Sequence, residues 1–244
     1  MVATNQQTDT VANTPRVSAV LAAYNEALSI DQVIHAVRSA TPNLCEVLVV
    51  DDGSVDGTAA VAEEAGARVI RHIRNEGKGV ALRTGIQEAQ GEVVLFIDAD
   101  GQDDPNEIPR LFEALTPQTD LVIGSRFLGR FEKGAIGPLN YMGNRTITWL
   151  FDRIFKARLT DTQAGFRVLR KDALGADRLR SKTYEIETEM TAQVLENGGT
   201  VVEVPVSRYA RTAGKTSFQR IPHGMRIVWT MVSIRARNLA KKEE

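Results

Sequence analysis

Short apolar runs alternate with segments of helical periodicity, and that alternation constrains this chain more than any other feature. Residues 47–50 form an unbroken Val/Leu run, the pattern of a strand buried on both faces of a parallel sheet. Further strands are expected over residues 17–23, 67–70, 93–97 and 121–123, with helices between them over 31–39, 56–65, 78–89 and 105–115. Val33, Ile34 and Val37 stripe the first helix and Ser29 is its expected N-cap, while Asp56 caps the second and Gly66 stops it. Repeated β-α alternation predicts an α/β fold with a mostly parallel, doubly wound sheet and right-handed crossovers.

A chain of 244 residues suffices for one large domain with its own core. A net charge of −1 provides no basic field, so nucleic acid is not expected as a partner. The single cysteine, Cys45, excludes an internal disulfide and is expected to be a buried, inert thiol. Residues 1–15 are polar without an apolar core and are expected to be a disordered leader. Nothing approaches the roughly 20 apolar residues that span a bilayer.

The apolar runs end in acidic groups. Tyr24-Asn25-Glu26 follows the first, Asp51 and Asp52 the second, Asp98 and Asp100 the fourth. Ligands of open α/β sheets sit beyond the carboxyl ends of the strands, so three strand ends offer acidic groups to one crevice. Helix capping accounts for Asp56 and Asp104 but poorly for Asp98, which closes an apolar strand with a second carboxylate two residues on. Such a pair repels unless a cation or donor lies between its members. Mg²⁺ or Mn²⁺ on Asp98 and Asp100, completed by ligand phosphates, is the economical expectation. Residues 98–109 are not an EF-hand loop, because the sixth is Asp103. Gly77-Lys78-Gly79 lacks the Lys-Ser/Thr of a P-loop. His35, His72 and His223 show no metal spacing and are expected to be structural or surface residues.

Six motifs in order carry a more specific signal: AAYNE (22–26), VVDDGSVDGT (49–58), NEGKGVALRTG (75–85), DADGQ (98–102), GSRF (124–127) and DTQAGFR (161–167). Together they resemble family 2 glycosyltransferases with the GT-A fold, and among these the dolichyl- or polyprenyl-phosphate hexosyltransferases. The resemblance covers residues 16–218 and leaves 219–244 as a basic amphipathic C-terminal helix. It implies metal-dependent, inverting transfer of a hexose from a nucleotide-sugar, a UDP-sugar ahead of GDP-mannose, to a polyprenyl or dolichyl phosphate. By position it implies that Ala22, Tyr24, Glu26, Val50 and Asp52 hold the base and ribose. Asp98-Ala99-Asp100 becomes the metal motif, with Asp100 the direct ligand and Gln102 beside the diphosphate. Arg211 and Lys215 belong to a basic loop over the diphosphate. Arg126 faces sugar or acceptor phosphate, and Gln163 and Arg167 join it at the acceptor.

A lipid phosphate is anionic near neutral pH, its second pKa being about 6, so it needs a cationic cradle rather than a base. Arg126 and Arg167 fit that role. A hydroxyl on a glycan or soluble acceptor would need a carboxylate base, for which Asp161, Glu187 and Glu189 are available. A nucleotide-binding protein without turnover is the remaining reading. Trp149, Leu150, Phe151, Ile154 and Phe155 interleave with Arg145, Arg153, Lys156 and Arg158, and the apolar stretch 227–234 is bracketed by Arg226, Arg235, Arg237, Lys241 and Lys242. Both stretches suit helices lying in the headgroup region, here on the cytoplasmic face of a membrane. Packing against the domain and docking on a membrane-protein partner are the alternatives.

Overall fold

The computed structural model describes residues 15–174, 179–211 and 220–240. Its sheet contains β1 (Val17–Ala23), β2 (Leu44–Asp51), β3 (Arg68–Arg71), β4 (Val93–Phe96), β5 (Leu121–Phe131), β6 (Arg167–Arg170) and β7 (Val201–Arg208). The helices are α1 (Ile30–Ala40), α2 (Thr58–Glu64), α3 (Lys78–Glu88), α4 (Ile108–Ala114), α5 (Pro138–Phe155), α6 (Ile186–Glu196) and α7 (Arg220–Ala240). Strand order is β3-β2-β1-β4-β6-β5-β7. The expected α/β class and mostly parallel sheet hold: β1 pairs in parallel with β2 and β4, β2 with β3, and β5 with β7. Only β6 runs against its neighbours, β4 and β5.

Alternation along the strands feeds two cores. Leu21, Val47, Val49 and Leu95 pack with Val33, Ile34 and Val37 of α1 and Leu111 of α4. Val20, Leu48, Val50 and Phe96 face the other way, against Leu82 and Ile86 of α3 and Met190 of α6. A third cluster joins Phe151 of α5, Ala192 of α6 and Ile227, Met231 and Ile234 of α7.

Local signals were mostly well placed. Gly66 (φ +82°) ends α2 in a Schellman arrangement, with Gly66 N–H donating to Glu63 O and Ala67 N–H to Ala62 O. Asp56 accepts from Thr58 N at 3.1 Å, one position before the N-cap, and Asp104 accepts from Asn106 N at 3.0 Å. Ser29 does sit at the N-cap of α1, but its hydroxyl donates to Ala99 O at 2.8 Å instead of capping. It thereby ties the loop after β1 to the loop after β4. Cys45 is half-buried rather than fully buried.

Gly77 (φ +106°) precedes α3 where the chain passes close to residues 181–183, and a Cβ there would run into the Lys182 carbonyl. Such a backbone is all but confined to glycine. Gly77→Ala is expected to cost about 2–3 kcal/mol, a fall of roughly 4–12 °C in melting temperature, measurable by thermal circular dichroism.

Candidate active site

The sheet positions the site. Strand β1 lies between β2 and β4, so the chain reverses its direction of spread there, and the crevice opens beyond the carboxyl ends of β1 and β4. A cavity of about 680 Å³ occupies it, lined by Ala22, Tyr24, Glu26, Asp52, Asp98, Ala99, Asp100, Gln102, Arg126, Gln163 and Arg211 among others. Twelve of the fourteen residues singled out from the sequence as binding or catalytic are described by the structure together with their surroundings in or behind this cavity, besides Val50; Lys215 lies outside the described residues.

On the β2 side, the two aspartates separate. Asp51 is fully buried, accepts from Ser54 N at 2.9 Å and pairs with Arg71 at 3.1 Å, so it shapes the turn rather than the crevice. Asp52 faces the cavity and accepts from Gly77 N at 2.7 Å and Glu76 N at 3.0 Å. His72 Nδ1 lies 2.7 Å from Asp52 Oδ1, and His72 Nε2 lies 3.1 Å from Thr84 Oγ1. His72 is thus a structural residue, as expected, and its work is to orient Asp52. Val50, by contrast, points its side chain into the core against α3.

At the end of β4 the two carboxylates of the metal motif meet protein cations. Lys78 Nζ, at the first turn of α3, lies 2.7 Å from Asp98 Oδ1 and 2.8 Å from Glu187 Oε1. Burial alone would raise the Asp98 pKa, but Lys78 and Arg208 outweigh it and hold the group well below the usual carboxylate range. Asp100 accepts from Gln102 N at 3.0 Å through Oδ1, and from Arg211 Nη2 at 2.5 Å through Oδ2. Arg208, at the end of β7, donates to Asp103 Oδ1 at 2.7 Å and Gln102 Oε1 at 3.0 Å, with Nη2 3.8 Å from Asp98 and 3.6 Å from Asp100. The cation between the paired carboxylates is therefore this guanidinium, where the sequence suggested a metal alone. Burial opposes its charge, yet the three aspartates raise its pKa further.

Farther along the cavity, Arg126 is clamped by Asp161, Nε to Oδ2 at 2.6 Å and Nη2 to Oδ1 at 2.8 Å. Gln163 donates to Thr188 Oγ1 at 2.8 Å. Arg167 requires a correction. It is fully buried at the start of β6 and does not line the cavity. Its guanidinium donates to Ala164 O, to Glu187 O at 2.9 Å and to Thr191 Oγ1 at 3.2 Å. Burial pulls its pKa down to about 10, against the pull of Glu187 and Asp161. Its place is in the wall behind the site, bracing α6.

Sequence reasoning gave no role to Lys78 and did not single out Arg208, Tyr184 or, as a site residue, His223, all of which line the cavity. Lys78 sits in a quoted motif at a helix start, a legible position. The strand-end rule would have found Arg208 had β7 been recognised.

The donor set suits a hard divalent cation in part. Among the described residues no group of three or more His, Cys, Asp or Glu side chains is arranged to hold a metal, so Asp98 and Asp100 are what the protein offers. The described lining carries five carboxylates (Glu26, Asp52, Asp98, Asp100, Glu187) against four basic side chains (Lys78, Arg126, Arg208, Arg211). A diphosphate entering that lining meets no net attraction until a further cation joins it. Two carboxylates plus ligand phosphates is the usual Mg²⁺ arrangement.

A crevice at the carboxyl ends of the strands, with acidic strand ends facing cationic side chains, is the ligand-receiving arrangement of an open α/β sheet. Residues 18–176 match the model of Glycosyl transferase family 2, and the chain belongs to that family and is a glycosyltransferase. It is 36% identical over 217 residues to an undecaprenyl-phosphate mannosyltransferase of Micrococcus luteus, covering 82% of this chain and 86% of the relative. To glycosyltransferase AglJ of Haloferax volcanii it is 35% identical over 192 residues, 78% of this chain and 62% of the relative, so it spans less than two thirds of that protein. The GT-A fold is shared with glucosyl-3-phosphoglycerate synthase of Mycobacterium tuberculosis, solved with Mn²⁺, UDP and phosphoglyceric acid: TM-score 0.71, 20% identity, 91% of this chain and 78% of that one.

Proposed function

We propose that the protein transfers a hexose, with inversion, from a nucleoside-diphosphate sugar to a polyprenyl phosphate at a membrane surface. The observation that carries the acceptor reading is that the candidate bases are already engaged. Asp161 is fully buried with both oxygens on Arg126. Glu189 accepts from Arg180 N and Ser181 N, at 2.9 and 2.7 Å through Oε2. Glu187 gives Oε1 to Lys78 and is held there as an ion pair, its Oε2 being the one oxygen of the three carboxylates that is buried without a hydrogen-bond partner. An acceptor that arrives ionised needs none of them. Its phosphate oxygen attacks the anomeric carbon, the bond from that carbon to the diphosphate breaks, and nucleoside diphosphate leaves. Arg126, held flat by Asp161, is placed for a phosphate, and Arg211 lies beside Asp100 for the leaving diphosphate. Asp98 and Asp100 would hold Mg²⁺ or Mn²⁺, which supplies Lewis-acid stabilisation of the leaving group when bound. The fold neighbour's Mn²⁺ and UDP support the metal and a UDP-sugar, which the DTQAGFR segment also favours. The likeness to the mannosyltransferase supports a lipid-phosphate acceptor and keeps a mannosyl donor, GDP-mannose, as the alternative to a UDP-sugar.

The cavity continues past Phe131 and Ile136 to Gly137 and Asn140 at the start of α5, where Leu139 and Met142 are exposed. On α5 Trp149 is exposed beneath Arg153, 5.4 Å from the ring, and α7 exposes Met225, Trp229 and Val232 while its other face packs in the third core. The two helices thus pack on one face, the alternative named for them, and present apolar and aromatic groups on the other. Among the described residues no helix is long and apolar enough to cross a membrane.

Nucleoside-diphosphate release from UDP-glucose, UDP-N-acetylglucosamine and GDP-mannose, each with undecaprenyl phosphate or a glycan acceptor, tests the reading. Turnover only with the lipid phosphate is expected, and Glu187→Gln should retain kcat within about tenfold. A loss of about 10² to 10⁴ in kcat would instead mark Glu187 as a base for a hydroxyl acceptor. Trp149→Asp combined with Trp229→Asp is expected to release the protein from anionic liposomes in a flotation assay while nucleotide binding persists. Unchanged flotation would count against the membrane surface.

A further inference from the structure

Arg211 joins two strand ends. Its Nη1 donates to Glu26 Oε1 at 2.9 Å, after β1, and its Nη2 to Asp100 Oδ2 at 2.5 Å, after β4. With Oδ1 accepting from Gln102 N, both oxygens of Asp100 are committed to donors of the protein itself. Asp100 is also the carboxylate that the proposed function assigns to a divalent cation. A dication at coordination distance from Oδ2 and a guanidinium hydrogen-bonded to the same atom are like charges in near contact, with little water to screen them at a residue only 7% exposed.

We propose that Arg211 is an internal competitor for the divalent-cation site, so that metal alone binds weakly and metal with nucleoside diphosphate binds as a coupled pair. The inference rests on Asp100 being a metal ligand. When the cation takes Oδ2, the guanidinium loses its strongest partner in the crevice. An incoming diphosphate replaces that partner with oxygens of the same charge and of matching bidentate geometry. Each ligand then favours the other, and the coupling is reciprocal. Arg208 cannot play this part. It is anchored to Asp103 at 2.7 Å and to Gln102 at 3.0 Å, stands 3.6 Å from Asp100 and belongs to a sheet strand. Arg211 lies three residues past the end of β7, and both its side-chain partners among the described residues are crevice carboxylates.

The test is Mn²⁺ binding without nucleotide, read from the free-ion paramagnetic resonance signal, so that no turnover is involved. Arg211→Met is expected to bind Mn²⁺ about tenfold more tightly than the unaltered protein, and Arg211→Lys to bind like it, since lysine keeps the competing charge. Saturating UDP or GDP should then tighten Mn²⁺ binding less in Arg211→Met than in the unaltered protein, after correction for the nucleotide's own Mn²⁺ affinity. Asp100→Asn separates the two claims. Undiminished Mn²⁺ binding by a folded Asp100→Asn protein would remove the metal reading and this inference with it. Binding lost in Asp100→Asn but equal or weaker in Arg211→Met would overturn the competition while leaving the metal reading intact.

Discussion

Asp100→Asn is expected to lower kcat/KM for sugar transfer by about 10³ or more while the protein stays folded. The size follows from the role proposed for Asp100, a charged ligand to a cation at the leaving group, where such a cation would stabilise developing charge by several kcal/mol, about 4 kcal/mol being three decades in rate. The fold should survive because Asp100 lies past the end of β4, outside the apolar clusters. Losing its ion pair with Arg211 is offset by relieving repulsion from Asp98 and Asp103, which share Arg208 with it. A melting temperature within a few degrees of the unaltered protein is therefore anticipated, alongside loss of nucleoside-diphosphate release. Undiminished release by a folded Asp100→Asn protein would show that the carboxylate has no part in catalysis.

The second large effect falls on stability. Arg167→Ala removes a fully buried guanidinium, takes the two-nitrogen donor from Ala164 O, and leaves Glu187 O and Thr191 Oγ1 with only the bond between them among their side-chain partners. It also removes one of the cations near Glu187 and Asp161, which keep their pairs with Lys78 and Arg126. Stranding buried polar partners in this way costs about 3–5 kcal/mol, or roughly 6–20 °C in melting temperature for a domain of this size. Arg167→Met fills the volume better and should fall between. Differential scanning calorimetry decides the matter. A melting temperature unchanged to within about 2 °C, together with a raised acceptor KM, would return Arg167 to the acceptor site that its motif suggested.

That residue shows where sequence reading stopped. DTQAGFR marks a segment that does reach the site, through Asp161 and Gln163, but motif position does not fix side-chain direction. On β6, Arg167 pairs with Phe96 of β4 and turns toward α6. The first five strands were legible because each held an apolar run, and Tyr24, Asp52, Asp98 and Asp100 could be placed at the carboxyl ends of three of them. Neither β6 nor β7 carries that signature. Arginines bound the short β6, and an antiparallel strand needs no crossover helix to announce it. Strand β7 lies at a sheet edge, where Pro205 is tolerated and where its residues are mostly only partly buried. Missing β7 meant missing Arg208, and so assigning the space between Asp98 and Asp100 wholly to a metal. Ser29 was placed correctly at a helix start, yet a long-range acceptor, Ala99 O, outcompeted the cap.

The separation in sequence between the crevice's charges has a consequence for how the chain is made. Asp98 meets its lysine 20 residues upstream, so that pair is available as soon as β4 emerges from the ribosome. Asp103 must wait 105 residues for Arg208, and Asp100 waits 111 for Arg211. Glu26, made near the start, waits 185. When the first four strands have been made, Asp98 therefore has its lysine, while Glu26, Asp100 and Asp103 still lack their arginines. The charge balance of the crevice is thus completed only when the end of β7 and Arg211 have been made, late in synthesis.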